Sequence, residues 1–100
     1  MDVPSWPRRG ARAIRSAAER LRSAAGPLEY RLLVLLAQNA GKVLTHRQLL
    51  REVWGPGYDQ ETHMLRVNIS NLRRKIELEP NRPRYILTEL GVGYRLKVKP

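Results

Sequence analysis

The stretch from Thr62 to Leu78 constrains the fold more than any other part of the chain. Leu65, Ile69, Leu72 and Ile76 recur at helical spacing. At about 100° per residue they fall within a stripe roughly 60° wide, which predicts one buried face. The opposite side carries His63, Val67, Ser70, Asn71 and Arg74. Arg66 and Arg73 lie on one flank and Lys75 on the other. Pro80 and Pro83 are expected to end this helix, because proline lacks the N–H that a helix interior uses.

The preceding residues predict two shorter helices. Pro27 suits a first helical position. Leu28, Leu32, Leu35 and Leu36 then form one apolar face, widened by Leu33. This helix should stop near Asn39, with Gly41 supplying the turn and Val43-Leu44 a short extended stretch. Thr45 reads as an N-cap, and Gln48 three residues later completes a capping box. Leu49, Leu50 and Val53 then face inward and Trp54 closes the helix. Gly55-Pro56-Gly57 breaks the chain, and the loop runs to about Glu61. Asp59 or Thr62 is expected to cap the long helix.

After that helix the pattern changes to strands. Tyr85 to Thr88 predicts one strand and Gly91-Val92-Gly93 a turn, with glycines available for positive φ. Tyr94, Leu96 and Val98 alternate with Arg95, Lys97 and Lys99, which predicts a half-buried strand with one cationic face. The expected fold class is mainly α with a C-terminal β-hairpin, the layout of a winged helix-turn-helix.

Charge narrows the choice of partner. Lys and Arg number 19 against 9 acids, a formal net charge of +10, which favours a polyanion: nucleic acid or an anionic membrane surface. Hydrophobic residues make up 42% of the chain, enough for one modest core. There are no cysteines, so disulfides and thiolate metal sites are excluded. No apolar run approaches the roughly 20 residues of a membrane span, and residues 1–25 lack the apolar centre of a signal peptide. The composition shifts near Gly26-Pro27, which predicts two parts. Residues 1–26 are expected to be a basic Ala/Arg-rich segment, partly helical or disordered, irregular at first and able to form a helix over residues 11–25. Residues 27–100 are the folded domain.

The long helix has the shape and chemistry for double-stranded DNA. An α-helix fits the major groove, where each base pair shows a distinct edge. Asn71 can pair with adenine and Arg74 with guanine, Val67 can touch a thymine methyl, and His63 and Ser70 share that face. Arg66, Arg73 and Lys75 suit phosphates, which position a protein without reading sequence. A charged helix face can also be merely solvated. The adjoining capped helix and cationic strand favour DNA.

Three blocks carry a resemblance. "PLEYRLLVLLAQNAGKVLTHRQLLREVWG", "THMLRVNISNLRRKIE" and "RPRYILTELGVGYRL" occur in order over about Pro27 to Val98. Together they resemble the DNA-binding effector domain of OmpR/PhoB-type bacterial response regulators. "VWGPGY", "HMLRVNISNLRRKIE" and "RPRYILTELGVGYR" are most similar to the branch that regulates Kdp potassium-uptake operons. The resemblance implies a cytoplasmic, nucleoid-associated bacterial regulator with a recognition helix at 62–78 and a wing near 91–95 at the flanking minor groove. It also implies an RNA polymerase contact in the loop of Trp54, Gly55, Pro56, Gly57, Tyr58, Asp59, Gln60 and Glu61. Head-to-tail dimers on DNA are a further implication. Many members place an Arg just before the wing's Gly-x-Gly. Leu90 stands there, and Arg95 is the candidate to serve instead. Residues 1–26 show neither a receiver domain with a phosphorylatable Asp nor the small sheet that usually covers the first helix. Phosphorylation by the usual route is therefore not expected, and the Leu33 side should lack its usual cover. Those residues are either a functional extension or the product of a displaced start or reading frame.

Other classes fit less well. His46 and His63 are the only histidines and neither has metal-ligand spacing, so no catalytic residue, metal or cofactor is expected. His46 reads as simply exposed, and Glu77 and Glu79 as solvated helix-end charges. A basic membrane-surface module would rest on residues 8–25, whose apolar side is mostly Ala with only Ile14 and Leu21. A protein-interaction module using the Trp54 loop, with weak nonspecific DNA binding, is the remaining alternative.

Overall fold

The computed structural model describes residues 26–97, and upstream of them only Ser16 and Glu19, both helical and exposed. The helix expected over residues 11–25 and the strand positions Val98 and Lys99 otherwise lie outside the described residues. Three helices and three strands follow in the order α1 (Pro27–Gln38), β1 (Val43–Thr45), α2 (His46–Val53), α3 (Thr62–Ile76), β2 (Ile86–Glu89) and β3 (Gly93–Leu96).

α1 begins with Pro27 at its first position and gives up the helix at Asn39, whose side chain donates to Leu35 O at 2.9 Å. Gly41 then turns the chain with φ +87°. α2 starts with the expected capping box: Gln48 N donates to Thr45 Oγ1 at 3.0 Å and Thr45 N to Gln48 Oε1 at 2.8 Å. Two helix-start donors are thus satisfied reciprocally. Leu49, Leu50 and Val53 pack inward, and Trp54 follows as the C-cap.

Leu32, Leu33 and Leu36 of α1, Leu49 and Leu50 of α2, and Leu65, Ile69 and Leu72 of α3 are all buried in one core with Ile86 and Leu96. Ile76 is partly buried against that core. Leu33 is fully buried as part of that core.

The expected hairpin forms part of a larger sheet. β3 lies between β1 and β2, antiparallel to both, with Leu44 opposite Tyr94 and Thr88 opposite Tyr94 on the other side. The Val43-Leu44 stretch is therefore a paired edge strand. It ties the hairpin to the start of α2, where His46 N donates to Val92 O at 3.1 Å. Of the two turn glycines, only Gly91 adopts the expected positive φ. Gly91 has φ +74°, whereas Gly93 does not use positive φ. Gly93 is buried where β3 crosses β1, and a Cβ there would meet Leu44 O at 1.8 Å.

Three terminal details depart from the sequence reading. α3 begins after Glu61 without a side-chain cap, so neither Asp59 nor Thr62 acts as one. Asp59 instead pairs with Arg47, with Nε to Oδ2 at 3.6 Å. α3 ends at Ile76, two residues before Leu78, because Glu77 turns extended and inward. Its carboxylate accepts from Arg84 N (2.9 Å), Tyr85 N (3.1 Å) and Ile86 N (2.9 Å). Glu77 is thus a buried latch rather than a solvated charge, while Leu78 is exposed.

Candidate nucleic-acid interface

The face opposite α3's core stripe is open. His63, Val67, Ser70 and Arg74, spaced four, three and four residues apart, are all exposed. They form one line along the helix. Val67 is a large apolar side chain in the middle of that line, 43% exposed. Arg66 is exposed on one flank, and Asn71 is half-buried on the other. Among the described residues Asn71 makes no side-chain hydrogen bond, whereas Asn68 is folded back on its own helix through Met64 O at 2.8 Å.

The two flanks are not equivalent to the free cations expected from sequence. Arg73 bends towards the sheet. Its Nε and one terminal nitrogen donate to Ile86 O at 3.2 and 2.8 Å, and that nitrogen also donates to Thr88 Oγ1 at 2.8 Å. The guanidinium carbon stands 5.7 Å from the centre of the Tyr94 ring. Burial pushes the Arg73 pKa below the usual arginine value, opposed by Tyr94 and Glu77. The group nevertheless stays charged, as guanidinium does throughout the accessible pH range. Lys75 also departs from expectation. Its Nζ reaches Glu29 of α1 at 2.6 and 3.0 Å. Glu29 is buried on the apolar helix and needs that partner, because an unpaired buried charge is costly.

The sequence reading missed Glu29 and the inward turn of Arg73. A weak signal existed for the second: Arg73 lies four residues after Ile69, about 40° around the helix, and so borders the buried stripe. Nothing in the local pattern marked Glu29, since its partner lies 46 residues away.

On the hairpin, Arg95 pairs with Glu89 at 3.0 Å, and the tip is apolar. Leu90 is 90% exposed and Val92 49%. Lys97 and Arg84 are exposed beside Leu87, around an open pocket of about 390 Å³. In the loop before α3, Pro56, Gly57, Tyr58, Gln60 and Glu61 are exposed, while Trp54, Gly55 and Asp59 are partly covered. Asp59 Oδ1 is buried without a hydrogen-bond partner. His46 is half-buried, its ring edge-on to Tyr94 with centroids 5.6 Å apart, and is not simply exposed.

An open polar helix backed by a core, with a hairpin fastened to its side, is the geometry of a winged helix-turn-helix. The profile of the family described as "Transcriptional regulatory protein, C terminal" matches residues 21–96. The chain belongs to this family. It is an OmpR/PhoB-type DNA-binding domain, and its relatives support that type. Over 69 residues it is 55% identical to the KDP operon transcriptional regulatory protein KdpE of Escherichia coli (strain K12), covering 69% of this chain and 31% of that protein. It is 42% identical over 69 residues to the DNA-binding response regulator MtrA of Mycolicibacterium smegmatis, covering 69% of this chain and 30% of that protein. The response regulator DrrB of Thermotoga maritima, an OmpR/PhoB homolog, superposes with a TM-score of 0.66 at 40% identity, covering 72% of this chain and 32% of that one. The chain thus spans about a third of the length of these relatives. No helix among the described residues is long and apolar enough to cross a membrane.

Proposed function

We propose that this domain binds double-stranded DNA sequence-specifically, with α3 in the major groove and the hairpin at the flanking minor groove. The observation that carries this reading is the exposed line of His63, Val67, Ser70 and Arg74 on a helix anchored from behind. Val67 offers a methyl contact to thymine, Arg74 a paired contact to guanine, and Asn71 at the edge a paired contact to adenine. Arg66, and Arg84 and Lys97 where the chain enters and leaves the hairpin, are exposed cations available to phosphates. Arg73, Lys75 and Arg95 already have protein partners.

In vitro selection from random duplexes, followed by titration of the selected site across salt, tests this. A defined motif is expected. The log–log salt slope should be about −3, for roughly three phosphate contacts. No enriched motif, or a slope near zero, would overturn the reading.

Within that reading Asn71 serves as a base reader. Asn71→Ala should cost about 1–3 kcal/mol on the selected site and relax preference at one base pair. A panel of single-base changes to the site checks this. Uniform weakening across the panel would instead place Asn71 against the backbone.

A Kdp-type potassium-transport operon is the target favoured by the 55% identity to KdpE, above the 42% to MtrA. The exposed part of the Trp54–Glu61 loop is the surface available to RNA polymerase in such a regulator, and head-to-tail pairing on repeated sites fits the same role. Binding in a bacterial cytoplasm, at the nucleoid, follows from the same assignment.

A further inference from the structure

The recognition helix and the hairpin are separate elements joined by a loop of nine residues, 77–85. A site read by both requires their separation to be fixed. Among the described residues, the direct polar tie between α3 and β2 is Arg73. Its guanidinium donates three hydrogen bonds to two acceptors on β2, the Ile86 carbonyl and the Thr88 hydroxyl. It also stacks near Tyr94 of β3, so it touches both strands of the hairpin. A planar guanidinium has donors in a fixed fork, which holds an orientation as well as a distance. Lysine, a single flexible point charge, cannot do the same. Thr88 lies one residue before Glu89, where β2 ends at the apolar tip. The tie therefore grips the hairpin close to the part that would enter the minor groove.

We propose that Arg73 is a positioning residue: it locks the hairpin to the recognition helix and thereby fixes the spacing of DNA sites that the domain accepts. This rests on the DNA reading above, and it removes Arg73 from the phosphate-contacting set. Loss of the tie leaves each element able to touch DNA but lets the hairpin swing. The variant should then bind its best site more weakly and distinguish less between sites of altered spacing.

The test uses the whole chain, with Arg73→Lys, Arg73→Met, Thr88→Val and Thr88→Ser and the double variant Arg73→Lys/Thr88→Val. In the free protein, NMR should show the Arg73 Nε–H protected from solvent exchange, and less so in Thr88→Val. On the selected duplex, Arg73→Lys should lose about tenfold in affinity, with Thr88→Val losing less and Thr88→Ser near wild type. In the double variant, Thr88→Val should add almost nothing, since coupled residues are not additive. A one-base-pair insertion between the major-groove and minor-groove parts of the site should penalise wild type more than Arg73→Lys. The decisive readout is Arg73→Met, which removes the charge. Its salt slope should match wild type, whereas loss of a phosphate contact would make the slope shallower by about 0.9. A shallower slope, additive losses, or equal insertion penalties would overturn the proposal. Failure of wild type to select any motif would overturn the DNA reading instead, and the exchange measurement would still decide whether the tie exists.

Discussion

Gly93→Ala should unfold the domain at a markedly lower temperature than wild type. The added Cβ would sit 1.8 Å from Leu44 O and 2.8 Å from both Leu44 C and Thr45 Cα. These are backbone atoms of the neighbouring strand, so no side-chain rotation relieves the overlap. β1 and β3 must separate at the Thr45–Gly93 pair, beside the His46 N to Val92 O bond that leads into α2. Overpacking usually costs about 1–3 kcal/mol, and a clash with fixed backbone belongs at or above the top of that range. A loss of about 3 kcal/mol should lower the melting temperature by roughly 15 °C in a domain of this size. Gly91→Ala is the natural comparison. Gly91 has φ +74° but open space around its Cβ position, so only the left-handed backbone penalty of about 1–2 kcal/mol applies. Thermal unfolding followed by circular dichroism checks the order. If Gly93→Ala melts with or above Gly91→Ala, the close approach of β1 and β3 is wrong.

Glu77→Ala is the second change with a large expected effect. The Glu77 carboxylate accepts from the backbone of Arg84, Tyr85 and Ile86, closing the loop between α3 and β2. Hydrogen bonds to a charged group contribute about 1.5–3 kcal/mol each in isolation, and stranded buried donors add their own penalty. The donors are shared and partly reached by water after truncation. A total of about 3–4 kcal/mol is therefore expected. Glu77→Gln should fall between, because its amide nitrogen would point a donor at other donors. Glu79→Ala, at an exposed position, should stay within about 0.5 kcal/mol of wild type. Urea unfolding at constant pH measures all three. Glu77→Ala indistinguishable from Glu79→Ala would contradict the latch.

Glu77 and Arg73 act on the same joint from its two sides. Glu77 fixes where the chain leaves α3 and enters β2. Arg73 fixes how the hairpin lies against that helix. Their variants should nevertheless differ in kind. Loss of Glu77 should appear mainly in stability. Loss of Arg73 should appear mainly in the spacing of accepted DNA sites. Lys75 holds the other flank against Glu29, so α3 is tied on both sides to buried or backbone acceptors.

Much of this protein was legible in its sequence, and for local reasons. A capping box needs residues three apart, so Thr45 and Gln48 were enough to place the start of α2. Helical periodicity depends on neighbours three and four apart, so Leu65, Ile69 and Leu72 marked the buried face of α3, and His63, Val67, Ser70 and Arg74 its open face. The family blocks carried the rest of the architecture. What the sequence left undecided depends on partners far along the chain. Pairing of Val43–Thr45 with β3 spans about half the chain, and no local pattern distinguishes a paired three-residue strand from a loop. The role of Gly93 follows from that pairing, not from the turn beside it. Charge alone marked Arg73, Lys75 and Glu77 as solvated or phosphate-facing. Only the packing of α3 against α1 and β2 brought Glu29, Ile86 O, Thr88 and the 84–86 backbone within hydrogen-bond reach. A cation's partner is set by which acceptor is nearest in space, and that is a property of the tertiary structure.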